Sequence, residues 1–341
     1  MTLLGFFAFF LFCLAGIING SYAFPLKSIK GWQFENIFLN YAVWAFLILP
    51  WLFFFILYPH ALDVYQQASI RDIGILLIGG LLFGVGQICF TLALRMIGLG
   101  LSFVLNIGIG TGLGFLAPLV FLHSHQLATA FGLVTILGTV LIIAGLIFCF
   151  VAGRHRNRKQ HKTSPFKKEN YLPGVMLAAT AGIFSAGQNF TFASTASMQT
   201  LALHLGVPSL AAANVIWPMF LLFASIPYIA YMLYLHKKEQ SFQVYQWRTS
   251  VRYIPIAFVM GLFWYGSLIL YSLGSHYIGK LGPVIGWPLF MVTIILTSNF
   301  WGWRHGEWTA VGRKIFRQFK WGIGLLVIAV VVLALSVMLA H

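Results

Sequence analysis

Acidic residues are scarce: a chain of 341 residues holds six carboxylates, Glu35, Asp63, Asp72, Glu169, Glu239 and Glu307. Charged residues of both signs make up 8% of the sequence, against 60% hydrophobic and 17% aromatic. That is too little polar surface to coat a soluble globule, which excludes a soluble enzyme or binding domain and leaves an integral membrane protein. Cysteine is limited to Cys13, Cys89 and Cys149, all inside apolar runs and without CxxC or Cys/His spacing, so neither a disulfide frame nor a zinc site is readable. No nucleophile with a base, no carboxylate pair and no ligand set converges at one depth, and glycine-rich stretches precede no P-loop lysine. The reading is therefore a non-enzyme without cofactor or metal.

What is present is a series of apolar runs, each about 20 residues long, the length a helix needs to cross a hydrocarbon core. Ten are expected, approximately 3–24, 37–58, 73–94, 101–122, 131–151, 172–194, 208–235, 251–273, 284–303 and 321–340. The fold class is an all-α polytopic membrane protein. The stretch Arg154 to Lys168 carries seven Lys or Arg residues and divides it into a first five-helix repeat (1–153), a basic cytoplasmic linker (154–170) and a second five-helix repeat (171–341). Nineteen of the 21 Lys and Arg residues fall in alternate connections, with only Arg71 and Lys280 elsewhere. Positive charge stays on the cytoplasmic side, so both termini are expected outside, and the net charge of +15 reflects topology rather than nucleic acid. The first run lacks the basic start of a secretory signal and reads as a retained helix.

The halves echo each other. Ala15 to Phe24 is matched by Ala181 to Phe190, and Gly80 to Phe83 by Gly261 to Trp264. Because five is odd, two such repeats in one chain lie upside down relative to each other, an architecture of alternating-access transporters. The fifth and tenth runs are almost purely apolar and belong at the lipid-facing edge. Glycines crowd the third and fourth runs for packing or sliding, and Pro50, Pro218, Pro227 and Pro288 mark places for kinks.

With all six carboxylates in loops or at helix ends, the usual intramembrane cation carrier is missing. His204 and His276, near the outer mouth, are the candidates for proton coupling, and coupling is expected to be weak or absent. The lining is neutral: Gln87, Asn106, Gln188, Asn189 and Asn214 supply donors and acceptors, and Trp264, Tyr265 and Trp287 supply flat walls for a small uncharged solute such as a sugar. Gln188 and Asn189 are expected in the outer half of a pathway, Gln87 and Asn106 in the inner half, and Trp264 and Tyr265 between them. Trp287, like Trp217, reads equally as an interfacial anchor.

These stretches resemble the L-rhamnose/proton symporter family of the drug/metabolite transporter superfamily. The resemblance is carried by Phe24 to Lys27, Leu82 to Gln87, Gly182 to Gly187, Leu205 to Val207, Gly261 to Tyr265, Trp287 and Glu307-Trp308. It implies ten helices in a bacterial inner membrane and uptake of a 6-deoxyhexose with a proton, with the lipid bilayer as surroundings and no nucleic-acid partner. An exporter or exchanger of amino acids, nucleosides or other metabolites is the alternative within the superfamily, and a membrane enzyme or assembly factor the alternative outside it.

Overall fold

The computed structural model describes residues 3–97, 99–159, 171–305, 308 and 311–339. Most of the basic linker, with Glu169, and also Glu307 and His341, lies outside the described residues. Among those described there is no strand. The long helices are α1 Leu3–Ser21, α2 Phe34–Leu57, α3 Ile70–Ile97, α4 Leu99–Leu122, α5 Ala130–Lys159 and α6 Tyr171–Ser194. They continue as α7 Ile216–Lys238, α8 Trp247–Ile278, α9 Gly282–Arg304 and α10 Arg313–Leu339. Short helices at Ala61–Gln67, Ala196–His204 and Ser209–Ala213 fill the connections.

Eight segments are long and apolar enough to cross a membrane, where ten were expected. One of the eight, Ser250–Arg304, holds both α8 and α9, between which the chain turns at Gly279–Leu281. Gly279 takes φ +80°, a left-handed conformation that ends α8 without a Cβ penalty. α6 is not among the eight although it has 24 residues. Its apolarity is diluted by Thr180, Ser185, Gln188, Asn189, Thr191 and Ser194, several of them on the side packed against α3 and α4, while Leu172, Met176 and Ile183 form its exposed apolar face.

Pro50 leaves its mark on α2. The chain loosens into a π-helical stretch at Val43–Ile48, and the Leu49 N–H reaches back to the Trp44 carbonyl. Widening by one residue makes room for a proline ring that has no N–H to give. Pro218 causes no such break: it sits in the first turn of α7, where its missing N–H would have had no intrahelical partner.

The packing pairs follow a pattern. α1 packs on α8 and α9, and α6 packs on α3 and α4; α2 meets α8, and α7 meets α3. α2 with α7, α4 with α9 and α5 with α10 complete the bundle. Small residues permit the closest approaches. Gly80 and Gly84 of α3 face the Phe220 and Ala224 carbonyls of α7, where an added Cβ would lie 2.4 and 2.2 Å from oxygen. Along α5 and α10, Gly145 faces Leu326, Gly322 faces Cys149, and Thr135 hydrogen-bonds Ser336. Their far faces expose Leu133, Leu137, Val140, Val327, Ile328 and Val331, apolar groups suited to lipid.

Candidate functional site

α8 organises the centre. Trp264, Ser267 and Tyr271 recur at three and four residues and so share one helix face. Asn19 of α1 donates to Ser267 Oγ at 2.8 Å, and Ser267 in turn donates to the Trp264 carbonyl at 2.6 Å. Trp264 is half-buried in an aromatic group from three helices: Tyr41 and Phe46 of α2 at 6.2 and 5.2 Å, and Phe83 of α3, stacked at 6.3 Å. Trp264 is thus part of an aromatic cluster midway along α8. Tyr265, one residue on, turns away to Phe53, fully buried with its hydroxyl unpartnered. The structure therefore separates two side chains that adjacency in sequence had put together.

Toward the C-terminal end of α8, a second group gathers. Asn189 of α6, with no exposed surface, donates through Nδ2 to the Gly114 carbonyl of α4 at 2.8 Å and the Pro283 carbonyl of α9 at 3.0 Å. Its Oδ1 accepts the Tyr271 hydroxyl. Trp287 of α9 is 1% exposed, stands against Tyr271, and donates Nε1–H to the Gly110 carbonyl at 2.9 Å. Trp217 is likewise buried, stacked on Phe192 and bonded to Ser272 Oγ at 2.5 Å. Neither tryptophan is a surface anchor. The amide of Asn189 is fully used in joining four helices, a role that spacing alone could not reveal. Tyr271 was missed as well, though it falls two turns beyond Trp264 on the same face.

The other amides are less fully used. Gln188 is 4% exposed and its Nε2 has no partner; Asn106, half-buried on α4, has an unpartnered Oδ1. α4 and α6 run side by side, with Gly182 against the Asn106 carbonyl and Ile109, so Asn106 stands within two turns of the Gln188 level. Thr111 and Ser194 add further unpartnered hydroxyls to these two helices. Gln87 is half-buried on α3, its carbonyl accepting from Thr91. Asn214 is elsewhere, before α7, donating to the Leu210 carbonyl with Oδ1 unpartnered. An unsatisfied buried amide costs stability and is the expected state of a group that serves a hydroxylated ligand.

His204 is exposed at the end of its short helix, and His276 is half-buried beside Tyr277 in the last turn of α8. Among the four described carboxylates two are buried at helix starts. Asp72, 4% exposed, accepts from Ser197 Oγ at 2.8 Å through Oδ2 and leaves Oδ1 unpartnered; Glu35, 2% exposed, leaves Oε1 unpartnered. Both stand at helix ends, where the spans placed them, and both are nonetheless buried. Among the described residues no three His, Cys, Asp or Glu gather as metal ligands.

An all-helical chain with several apolar segments of membrane-crossing length, and neutral polar groups at its centre, defines a multi-pass membrane protein. The family model described as L-rhamnose-proton symport protein matches residues 3–340, and the chain belongs to that family. Similar curated proteins include the L-rhamnose-proton symporters of Salmonella typhimurium (strain LT2), Salmonella newport (strain SL254) and Salmonella paratyphi C (strain RKS4594). Each is 26% identical over 320 residues, covering 92% of both chains.

Proposed function

We propose that the protein carries a small neutral sugar, L-rhamnose or a near relative, together with a proton across the bacterial inner membrane. The observation that carries this reading is the family match from one end of the chain to the other. Relatives described as proton symporters favour coupled uptake over export or exchange.

The mechanism we infer is alternating access between two bodies of a ten-span bundle, as in the drug/metabolite transporter superfamily. The packing pairs support an inverted repeat: advancing every helix label by five, and returning past ten to the start, turns each of the pairs named above into a pair that is also observed. Thus α1 on α8 and α9 becomes α6 on α3 and α4, while α2 with α7 becomes itself. Each repeat's first helix is embedded in the opposite half. The moving units are therefore α3, α4, α6 and α7 against α8, α9, α1 and α2, and not the sequence halves 1–153 and 171–341. Charge distribution supports placing the N-terminal end of α1 outside and the basic linker in the cytoplasm.

In this reading Trp264 supplies the apolar wall for the sugar ring, and Gln188, Asn106 and Gln87 supply hydrogen bonds to its hydroxyls. Asn189, Trp287 and Asn214 hold helices together. The test is uptake of labelled L-rhamnose into proteoliposomes beside a panel of neutral sugars, amino acids and nucleosides, with and without an acid-outside pH gradient. Selective sugar accumulation driven by the gradient is expected; uptake of amino acids or nucleosides in place of sugars would overturn the reading.

A further inference from the structure

His236 stands in the last turn of α7 with no exposed surface. Its Nδ1 lies 2.8 Å from the Met232 carbonyl, and a carbonyl only accepts, so Nδ1 carries a hydrogen. Its Nε2 lies 3.1 Å from Asn36 Nδ2 and 3.1 Å from the Tyr245 hydroxyl. The orientation of the Asn36 amide follows from its other bonds. Oδ1 accepts the Gln33 backbone N–H at 3.0 Å, and Nδ2 donates to the Ser241 carbonyl at 3.0 Å. A flipped amide would set oxygen against carbonyl and nitrogen against N–H, losing both. The second N–H of Asn36 therefore points at Nε2, which must offer a lone pair: the ring is neutral. Asn36 is itself fully buried.

The neutral ring thus ties α2 to α7, and the Tyr245 hydroxyl, which also accepts from Asn40 at 2.9 Å, ties in the turn that follows α7. A proton on Nε2 converts the acceptor into a donor facing the Asn36 N–H. That contact becomes repulsive, and only Tyr245 can still accept. The charged and titratable groups around the ring are few. Glu35, next to Asn36 on α2, is buried with Oε1 unpartnered and offers a counter-charge. Tyr245 faces the ring from the 241–244 turn, and burial, with the Glu35 charge adding, pushes its hydroxyl above the usual range against the lowering by Asn36 and Asn40. Lys237, Lys238 and Glu239 at the end of α7, and Arg248 and Arg252 on α8, are exposed. On α3 the charged residues are Arg71 and Asp72 at the far end and Arg95 toward the end that His236 occupies.

We propose that His236 is a proton-binding site of the transport cycle, its neutral ring latching α2 to α7 and its protonation releasing that face of the bundle. This rests on the sugar/proton reading above for its role in coupling. The latch itself can be tested without any sugar. An ionisable side chain buried between helices, with its partner named, is where proton-linked motion is expected.

The experiment uses Ser241→Cys in a chain whose three native cysteines are replaced by alanine. Ser241 is 1% exposed and beside the latch. Labelling by a membrane-impermeant maleimide from the basic-loop side, normalised to a reference thiol of known pH dependence, is expected to rise about tenfold between pH 8 and pH 5.5. The same rise should be missing in His236→Gln, whose Oε1 can accept from Asn36 but cannot take a proton. In proteoliposomes a one-unit pH gradient drives about tenfold accumulation at one proton per sugar, which His236→Gln should abolish while sugar counterflow persists. Labelling of the parent protein that does not change with pH, or that changes equally in His236→Gln, would overturn the latch. PH-dependent labelling in a protein that transports no sugar would instead overturn the transport reading and leave the latch standing.

Discussion

Two adjacent residues, Gln188 and Asn189, are expected to fail in opposite ways when truncated. Asn189 makes three hydrogen bonds between helices, two to carbonyls and one from Tyr271. Such bonds average about 0.6 kcal/mol in membrane proteins, so Asn189→Ala should cost about 2 kcal/mol of stability. Gln188 presents an Nε2 that the protein does not use, so Gln188→Ala should cost folding little. If that amide meets a sugar hydroxyl, its loss removes about 1–3 kcal/mol of binding, roughly a tenfold to hundredfold rise in Kd. The assays are unfolding temperature in detergent, followed by tryptophan fluorescence, and L-rhamnose binding by titration calorimetry on the same preparations. Gln188→Ala should keep its unfolding temperature and lose affinity; Asn189→Ala should lose temperature and keep most of its affinity. The reverse pattern, with Asn189→Ala weakening sugar binding at unchanged unfolding temperature, would refute the assignment of one amide to the ligand and the other to the helices.

Further outcomes follow from other contacts. Trp264→Ala should weaken sugar binding by about 1–3 kcal/mol, with Trp264→Phe recovering part of it, as read by the same titration. A Cβ on Gly114 would lie 2.2 Å from Trp287 Nε1, so Gly114→Ala should overpack the α4–α9 contact by about 1–3 kcal/mol and lower the unfolding temperature. His123, just past the end of α4, is held below its usual 6.5 by burial and by the neighbouring His125 and Lys280 charges, against a hydrogen bond to the Lys280 backbone. Because the folded pKa lies below the unfolded one, its contribution to stability is full above pH 6.5 and is lost as pH falls below that value; His123→Gln should flatten this part of the pH–stability curve. Fusions after residue 341 should give active alkaline phosphatase and a dark fluorescent protein, and the opposite result would reverse the proposed orientation.

The membrane class and most of the helices were legible because lipid demands long apolar runs, and those runs are contiguous in sequence. α6 was placed correctly as a helix, yet its mean apolarity is lowered by the polar residues it turns toward α3 and α4, and which side of a helix meets its neighbours is not a local property. The same limit governed the site. Trp264 could be picked out by its depth, but the opposite headings of Trp264 and Tyr265 depend on the angle of 100° between successive residues on a helix. Asn189 looked like a ligand group because nothing local identifies the Gly114 and Pro283 carbonyls as its acceptors. Glu35 was legible as a helix-end residue but not as a buried one, because Tyr245, which lies close enough to feel its charge, comes from a distant part of the chain.

The bonds between helices fall into two sets once the moving units are drawn as α3, α4, α6 and α7 against α8, α9, α1 and α2. At the end of the bundle where α1 begins, Asn189 with Tyr271 and Pro283, and Trp287 with Gly110, cross from one unit to the other. At the opposite end the crossing bond is Asn36 with His236. Between them, Trp264 of one unit stacks on Phe83 of the other. In the alternating-access reading proposed above, a bundle fastened at both ends around an aromatic middle would correspond to an occluded state between two open ones. Opening either end must break its own set, and the sets differ in kind. The α1-end set is made of neutral groups whose bonding does not change between pH 5 and 8, whereas the other set includes an imidazole whose acceptor nitrogen disappears on protonation. On that reading a sugar would bias the first set through its contacts, and a proton would act directly on the second. That asymmetry would let one proton order the two openings without a carboxylate in the middle of the membrane.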